Sequence, residues 1–260
     1  MADYVIFRKS RNALSSFLHI ILNIALATAS ILITWTTGSP FIGLLIIIVS
    51  KWRTFAVRPR YWEINLKSSL VDLIVGCSFV LIAYCSGQAF LPIHAILIAL
   101  YSFWLVILKP KSTEFATYTQ SLFSIFFGST ALVLMAASGN AIYMAFWSFL
   151  IGYAAARHVL VQCDDKNFNI IVMAAGIIFA EIAWLCHSWL IVYSFTDSGI
   201  IIPQMSIIMT IVAYVFGYAY KSISKNDGQL KWHEVGVPTL FGILAIAIIV
   251  LGFSQPIFNV

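Results

Sequence analysis

The feature that most constrains this chain is a series of long apolar runs separated by short polar turns. Hydrophobic residues make up 61% of the 260 residues and charged residues only 10%, whereas a soluble globular domain carries about 25% charged residues. Backbone polar groups in hydrocarbon must be satisfied within each segment, so such runs favour transmembrane helices. The sequence therefore predicts an all-α, polytopic integral membrane bundle: one transmembrane helical domain over residues 1–260, with no soluble domain.

The apolar runs indicate about nine membrane-spanning helices. The predicted spans are residues 13–35, 41–57, 69–86, 91–108, 115–137, 141–157, 169–193, 200–220 and 235–254. A helix needs about 20 residues to cross the hydrocarbon, so the second run is short for a full crossing. The basic start of the chain, followed by an apolar stretch and the small residues Ala27 and Ala29, also resembles a secretory signal peptide. The count becomes eight if the first helix is cleaved or the second is re-entrant.

The positions of the cations predict the orientation of the bundle. All 15 Lys and Arg residues lie in the N-terminal segment, in alternate loops or at the span ends next to those loops, and the opposite turns contain none. These cation-free turns are residues 36–40, 87–90, 138–140 and 194–199. Because Lys and Arg in short loops stay on the inner side, we expect a cytoplasmic N-terminus and an external C-terminus. The expected location is an integral membrane, the cytoplasmic (inner) membrane in a bacterium. The net charge of +5 belongs to these loops, so no nucleic-acid partner is predicted.

The most basic loop, residues 51–68, has the composition of a membrane–water interface. Five cations lie here among Trp, Tyr and Phe; cations suit anionic head groups, and Trp and Tyr rings sit at head-group depth. A short amphipathic segment along the inner surface is expected. The residues predicted to contact anionic lipid or phosphate are Arg58, Arg60, Lys67 and Asp72. For Asp72 an ordinary ion pair with Lys67, Arg60 or Arg58 near a helix N-terminus is favoured, and lipid or phosphate contact is the alternative.

Polar residues at membrane depth form a second candidate region, because such residues are costly in hydrocarbon and tend to face the bundle interior. The strongest is Glu181, about 18 Å from Asn169 along the seventh helix and therefore near the midplane. We expect its carboxyl to face the interior and to bond a polar group of the first or fifth helix; Ser124 is one such group. The residues predicted to line an intramembrane polar or ion pathway are Glu181, His19, Asn23, Gln120 and His187. The alternative is a protonated Glu181 that makes one interhelical hydrogen bond.

Three functions stay open on this evidence. A small-solute or ion transporter, proton-coupled through Glu181, is favoured by the polar residues at depth. An enzyme acting on a lipid-linked or phosphate-bearing substrate at the cytoplasmic face would use Arg58 and Arg60, with Asp72 or Asp164 on a metal. A non-catalytic membrane subunit or scaffold is the third. A cavity beside Glu181 would favour transport, and a cavity beside Arg58 would favour the enzyme. A cavity at neither place would favour the scaffold.

The sequence carries no motif that predicts a catalytic residue, a cofactor or a metal. The four cysteines lack paired spacing, and the adjacent Asp164 and Asp165 are expected to be solvated rather than to hold Mg²⁺. The partners we expect are membrane lipids with anionic head groups at the cytoplasmic face, together with a protein partner or a homo-oligomer.

Overall fold

The computed structural model describes residues 2–52, 56–87, 92–136, 139–161, 167–189, 191–195, 200–226 and 228–253. Within these ranges the chain forms nine helices. They are α1 (Ala2–Thr37), α2 (Pro40–Ser50), α3 (Trp62–Cys85), α4 (Pro92–Phe103, continued by a π-helical turn at Trp104–Leu108), α5 (Glu114–Ala136), α6 (Ala141–Leu160), α7 (Phe168–His187), α8 (Gln204–Lys225) and α9 (Trp232–Gly252). A 3₁₀ turn, Pro59–Tyr61, precedes α3. An antiparallel hairpin of β1 (Val192–Phe195) and β2 (Ile200–Pro203) links α7 to α8, with Val192 opposite Pro203.

The all-α prediction is confirmed, and six segments in the described ranges are long and apolar enough to cross a membrane. They are Ser15–Thr37, Pro59–Cys85, Glu114–Ala136, Phe168–His187, Gln204–Lys225 and Trp232–Gly252. The helix α2 has 11 residues, about 16 Å at 1.5 Å per residue, which is half the thickness of the hydrocarbon. Nine crossings and their orientation stay predictions.

Three predicted boundaries are wrong. The seventh helix ends at His187 instead of 193, and the eighth begins at Gln204 instead of 200, because the chain between them forms the β-hairpin. The second helix ends at Ser50, so the basic residues that follow lie outside it. The expected surface segment 51–68 is not separate either, since Trp62 to Ser68 form the first two turns of α3.

The short helix α2 packs antiparallel to α3 in a fixed register. A Cβ added at Gly43 would lie 2.8 Å from Val80 Cγ1, and one added at Gly76 would lie 2.9 Å from Ile47 Cγ2. Contacts this close require glycine, because every other residue would place a methylene where the neighbouring side chain already lies. The same register brings the C-terminal end of α2 alongside Asp72.

Glycines also join α6 to α7, in a reciprocal contact. A Cβ at Gly152 of α6 would lie 2.7 Å from Phe179 Cβ of α7, and a Cβ at Gly176 of α7 would lie 2.8 Å from Phe149 Cε2 of α6. Small residues of this kind let helix backbones approach closely in membrane bundles. Because α7 docks through this face, its opposite face is directed away from α6.

The orientation can be tested with reporter fusions. Fusions after residues 88, 139 and 197 should report the external side, because the segments that contain them lack Lys and Arg. Fusions after residues 112 and 228, in lysine-bearing segments, serve as the cytoplasmic controls. A cytoplasmic signal at any of the first three positions would contradict the orientation.

Candidate functional site

Asp72, within α3, brings together the ends of two other helices, α2 and α4. Its Oδ2 forms ion pairs with the Nζ of Lys51, just past α2, and with the Nζ of Lys109, just past α4, the latter at 2.8 Å. Its Oδ1 accepts a hydrogen bond from Trp104 Nε1 at 3.1 Å. The side chains of Lys51 and Asp72 are 10% and 14% exposed, and that of Lys109 is 41% exposed. We call these four residues the Asp72 cluster; two ammonium groups surround one carboxylate.

The partners predicted for Asp72 are wrong. Lys67 forms an ion pair with Glu63, one turn earlier on α3. Lys67 is five residues from Asp72, so the two side chains point about 140° apart around the helix. Arg60 donates to the hydroxyl of its neighbour Tyr61 at 2.6 Å, and its guanidinium lies 4.6 Å from the centre of that ring.

The four residues predicted to contact lipid or phosphate therefore do not form one site. Arg58 is exposed beside the 3₁₀ turn, while Asp72 lies between α2 and α4. Lipid contact by Arg58, Arg60 and Lys67 stays a prediction. The sequence does not indicate Lys51, Trp104 and Lys109 as neighbours of Asp72, since they come from helices far apart in the sequence.

The electrostatics of the cluster disfavour its second positive charge. Burial, followed by the neighbouring Lys109 ammonium, lowers the pKa of Lys51 to about 7. Burial also lowers the pKa of Lys109. The Asp72 carboxylate opposes both effects, because an adjacent anion favours the charged lysine. One carboxylate thus balances one of the two ammonium groups.

Glu181 lies on the face of α7 that points away from the rest of the protein, which we call the outer face of α7. The prediction that Glu181 faces the interior is therefore wrong. Glu181 is exposed, and Ile177 and Trp184 on the same face are 50% and 58% exposed. Among the described residues its carboxyl has no hydrogen bond or ion pair. At 100° per residue Glu181 is about 140° from Gly176 and 160° from Phe179, the residues through which α7 docks on α6.

Depth also separates Glu181 from its predicted partners on α5. Because α7 ends at His187, Glu181 is about 20 Å from Phe168 and about 9 Å from the C-terminal end of the helix. Gln120 lies about 9 Å from the N-terminal end of α5, which begins at Glu114. The two side chains therefore belong to opposite halves of the bundle.

The side chain of Gln120 makes its hydrogen bonds at the C-terminal end of α4. Its Nε2 donates to the carbonyl oxygens of Leu108 at 2.7 Å and Lys111 at 2.9 Å. Its Oε1 lies 2.6 Å from His158 Nε2. Since the amide NH₂ is used by the two carbonyls, Oε1 must accept, and His158 carries its proton on Nε2. Gln120 thus caps the chain end of α4 that carries Lys109.

The remaining predicted pathway residues do not line a common channel. His19 is exposed on α1, and its Nδ1 lies 3.0 Å from Asn23 Nδ2 of the same helix. Ser30 and Thr34, further along α1, are buried and donate to carbonyls of their own helix. His187 Nδ1 lies 3.1 Å from Met144 Sδ on α6. These are local and packing contacts.

A cavity of about 240 Å³ lies at the opposite end of the bundle from the Asp72 cluster. It is lined by Thr34, Trp35, Gly38, Ala83, Tyr84 and Gly87, so it adjoins neither Glu181 nor Arg58. No three His, Cys, Asp or Glu side chains in the described ranges are placed to hold a metal ion, and Asp164 and Asp165 lie outside those ranges. No family model, curated protein or solved structure matches the chain.

Proposed function

We propose that this protein is a non-catalytic membrane subunit that assembles with a second copy of itself through the outer face of α7. The exposure of Glu181 within an apolar helix face is the observation that carries the proposal. A carboxyl directed at acyl chains leaves its polar atoms unsatisfied. The cost is about 3 kcal/mol for an acidic residue at the centre of a membrane helix and is smaller for Glu181, which lies about 9 Å from the end of α7. A neighbour that donates a hydrogen bond removes this cost, so the face favours a protein contact over lipid.

The same face carries a hydrogen-bond donor. Trp184 lies one turn beyond Glu181 and is 58% exposed, and an indole N–H can only donate. In a two-fold dimer a surface meets its own copy, so Glu181 of one protomer can face Trp184 of the other, and the reverse. Ala174 and Ser188, exposed on this face, are small enough to let two helices approach closely.

The interior beside α7 gives less support to a solute pathway through one copy. Phe149 and Phe179 fill the space between α6 and α7, packed on Gly152 and Gly176. Transport through a single copy would also leave Glu181 outside the pathway. The enzyme alternative is weakened because Arg60 and Asp72 have separate partners.

Self-association of the purified protein in lipid vesicles tests the proposal. Energy transfer between donor- and acceptor-labelled copies should show a dimer, and Glu181→Leu should weaken the dimer at least tenfold. Trp184→Leu should also weaken it, whereas Glu181→Gln should retain most of it because an amide oxygen still accepts. Phe241→Leu, at a 69% exposed position of α9, is the matched control and should have no effect.

A monomeric wild type, or a dimer that Glu181→Leu leaves unchanged, would overturn self-assembly. If the protein is monomeric when pure but is held in a larger complex through Glu181 in its own membrane, the occupant of this face is a different protein. That result also overturns the proposal as stated.

A further inference from the structure

With both lysines protonated, the Asp72 cluster holds one positive charge more than it balances, in a largely buried place. Its two ammonium groups share one carboxylate oxygen, and in the described part of the chain no second carboxylate pairs with Lys51 or Lys109. A buried charge is costly unless it is paired and hydrogen-bonded. The geometry therefore leaves room for one further negative charge.

The ammonium groups of the cluster also have N–H donors that Asp72 does not use. An ammonium group carries three N–H donors, and Asp72 is the acceptor that the described structure gives to each lysine. Trp104 donates to the other carboxylate oxygen. The carboxylate therefore cannot rotate to give each lysine an oxygen of its own. Because the Lys109 side chain is 41% exposed, its remaining donors are accessible from outside the bundle.

The cluster lies where an anion is available. Lys51 and Lys109 follow the ends of α2 and α4 that the charge pattern assigns to the inner side. The first turns of α3, below Asp72, carry Glu63, Asn65 and Lys67, which are residues of the head-group region rather than of hydrocarbon.

We infer that the Asp72 cluster binds a phosphate group at the inner boundary of the membrane, with Lys51 and Lys109 as its donors. The phosphate would come from the head group of an anionic lipid or from free phosphate. Asp72 would orient the two ammonium groups and would itself stay outside the contact.

Native mass spectrometry of the full-length protein in detergent, titrated with phosphatidic acid, tests this inference. Lys109→Gln should weaken binding at least tenfold, and Lys109→Arg should restore it. Lys111→Gln is the matched control, because its exposed side chain lies two residues away and outside the cluster; it should change binding less than twofold. Asp72→Asn should bind phosphatidic acid at least as tightly as wild type, whereas a purely structural ion pair would give no binding in any variant.

Competition with millimolar inorganic phosphate distinguishes the two sources. Phosphatidic acid that stays bound in its presence, and is lost in Lys109→Gln, indicates a lipid head-group site. Displacement of phosphatidic acid, together with Lys109-dependent binding of inorganic phosphate alone, indicates a site for free phosphate. Such a site also supports the inference, because the same ammonium groups bind a phosphate group. Equal binding by wild type and Lys109→Gln, with both variants folded by thermal unfolding, would overturn the inference.

Discussion

Replacing Gly152 with leucine should prevent α6 and α7 from docking and leave little folded protein. A Cβ at this position would lie 2.7 Å from Phe179 Cβ and 2.8 Å from its Cγ, and the Phe179 Cβ cannot move without moving the backbone of α7. Overpacking typically costs up to about 3 kcal/mol, and more where the backbone blocks relaxation. We expect a loss at or above that figure, measured as a fall in the unfolding midpoint in mild detergent.

Gly252→Leu is the control for Gly152→Leu, because a Cβ there would have no atom within 4 Å. Its free energy of unfolding should stay within about 0.5 kcal/mol of wild type. A Gly152→Leu protein that unfolds like wild type would show that the two helices do not pack in this way.

Replacing Gln120 with leucine should cost about 3 kcal/mol of folding free energy. The change removes the donors to the carbonyls of Leu108 and Lys111 and the acceptor for His158. Each unsatisfied buried polar group costs about 1–3 kcal/mol, and access of water to the end of the helix reduces the penalty for the carbonyls. The same unfolding measurement reports the loss.

Ser124→Ala is the matched control for Gln120. Ser124 is one turn further along α5 and donates to Ser121 of its own helix, so the change removes no contact between helices and should cost less than about 0.5 kcal/mol. If Gln120→Leu were equally harmless, the capping role of Gln120 would be wrong.

The helices could be predicted from the sequence, but the direction of their faces could not. Apolar runs predict helices because hydrocarbon leaves the backbone few other ways to satisfy its polar groups. Between Ile170 and Cys186 the helix α7 is apolar apart from Glu181, so periodicity does not indicate its buried face. Gly176, with Phe179 one turn later, was the available signal, since glycine marks close helix packing.

The β-hairpin and the partners of Asp72 could not be predicted from the sequence, for different reasons. Ile200 to Ile202 form a short apolar run, and such a run does not distinguish a strand from the start of a helix. For Asp72 the sequence indicates only residues near it in the chain as ion-pair partners. Its actual partners depend on the register between α2 and α3, which glycines at 43 and 76 set through close packing.

The π-helical turn at the end of α4 explains how one carboxylate reaches both Trp104 and Lys109. These residues are five apart, and the backbone N–H of Lys109 donates to the carbonyl of Trp104 at 2.8 Å. In an α-helix, side chains five apart diverge by about 140°; the wider turn brings them onto neighbouring positions. A single widened turn of backbone therefore decides how many positive charges Asp72 meets, so a one-residue deletion within 104–108 would change the net charge of the cluster without removing a charged side chain.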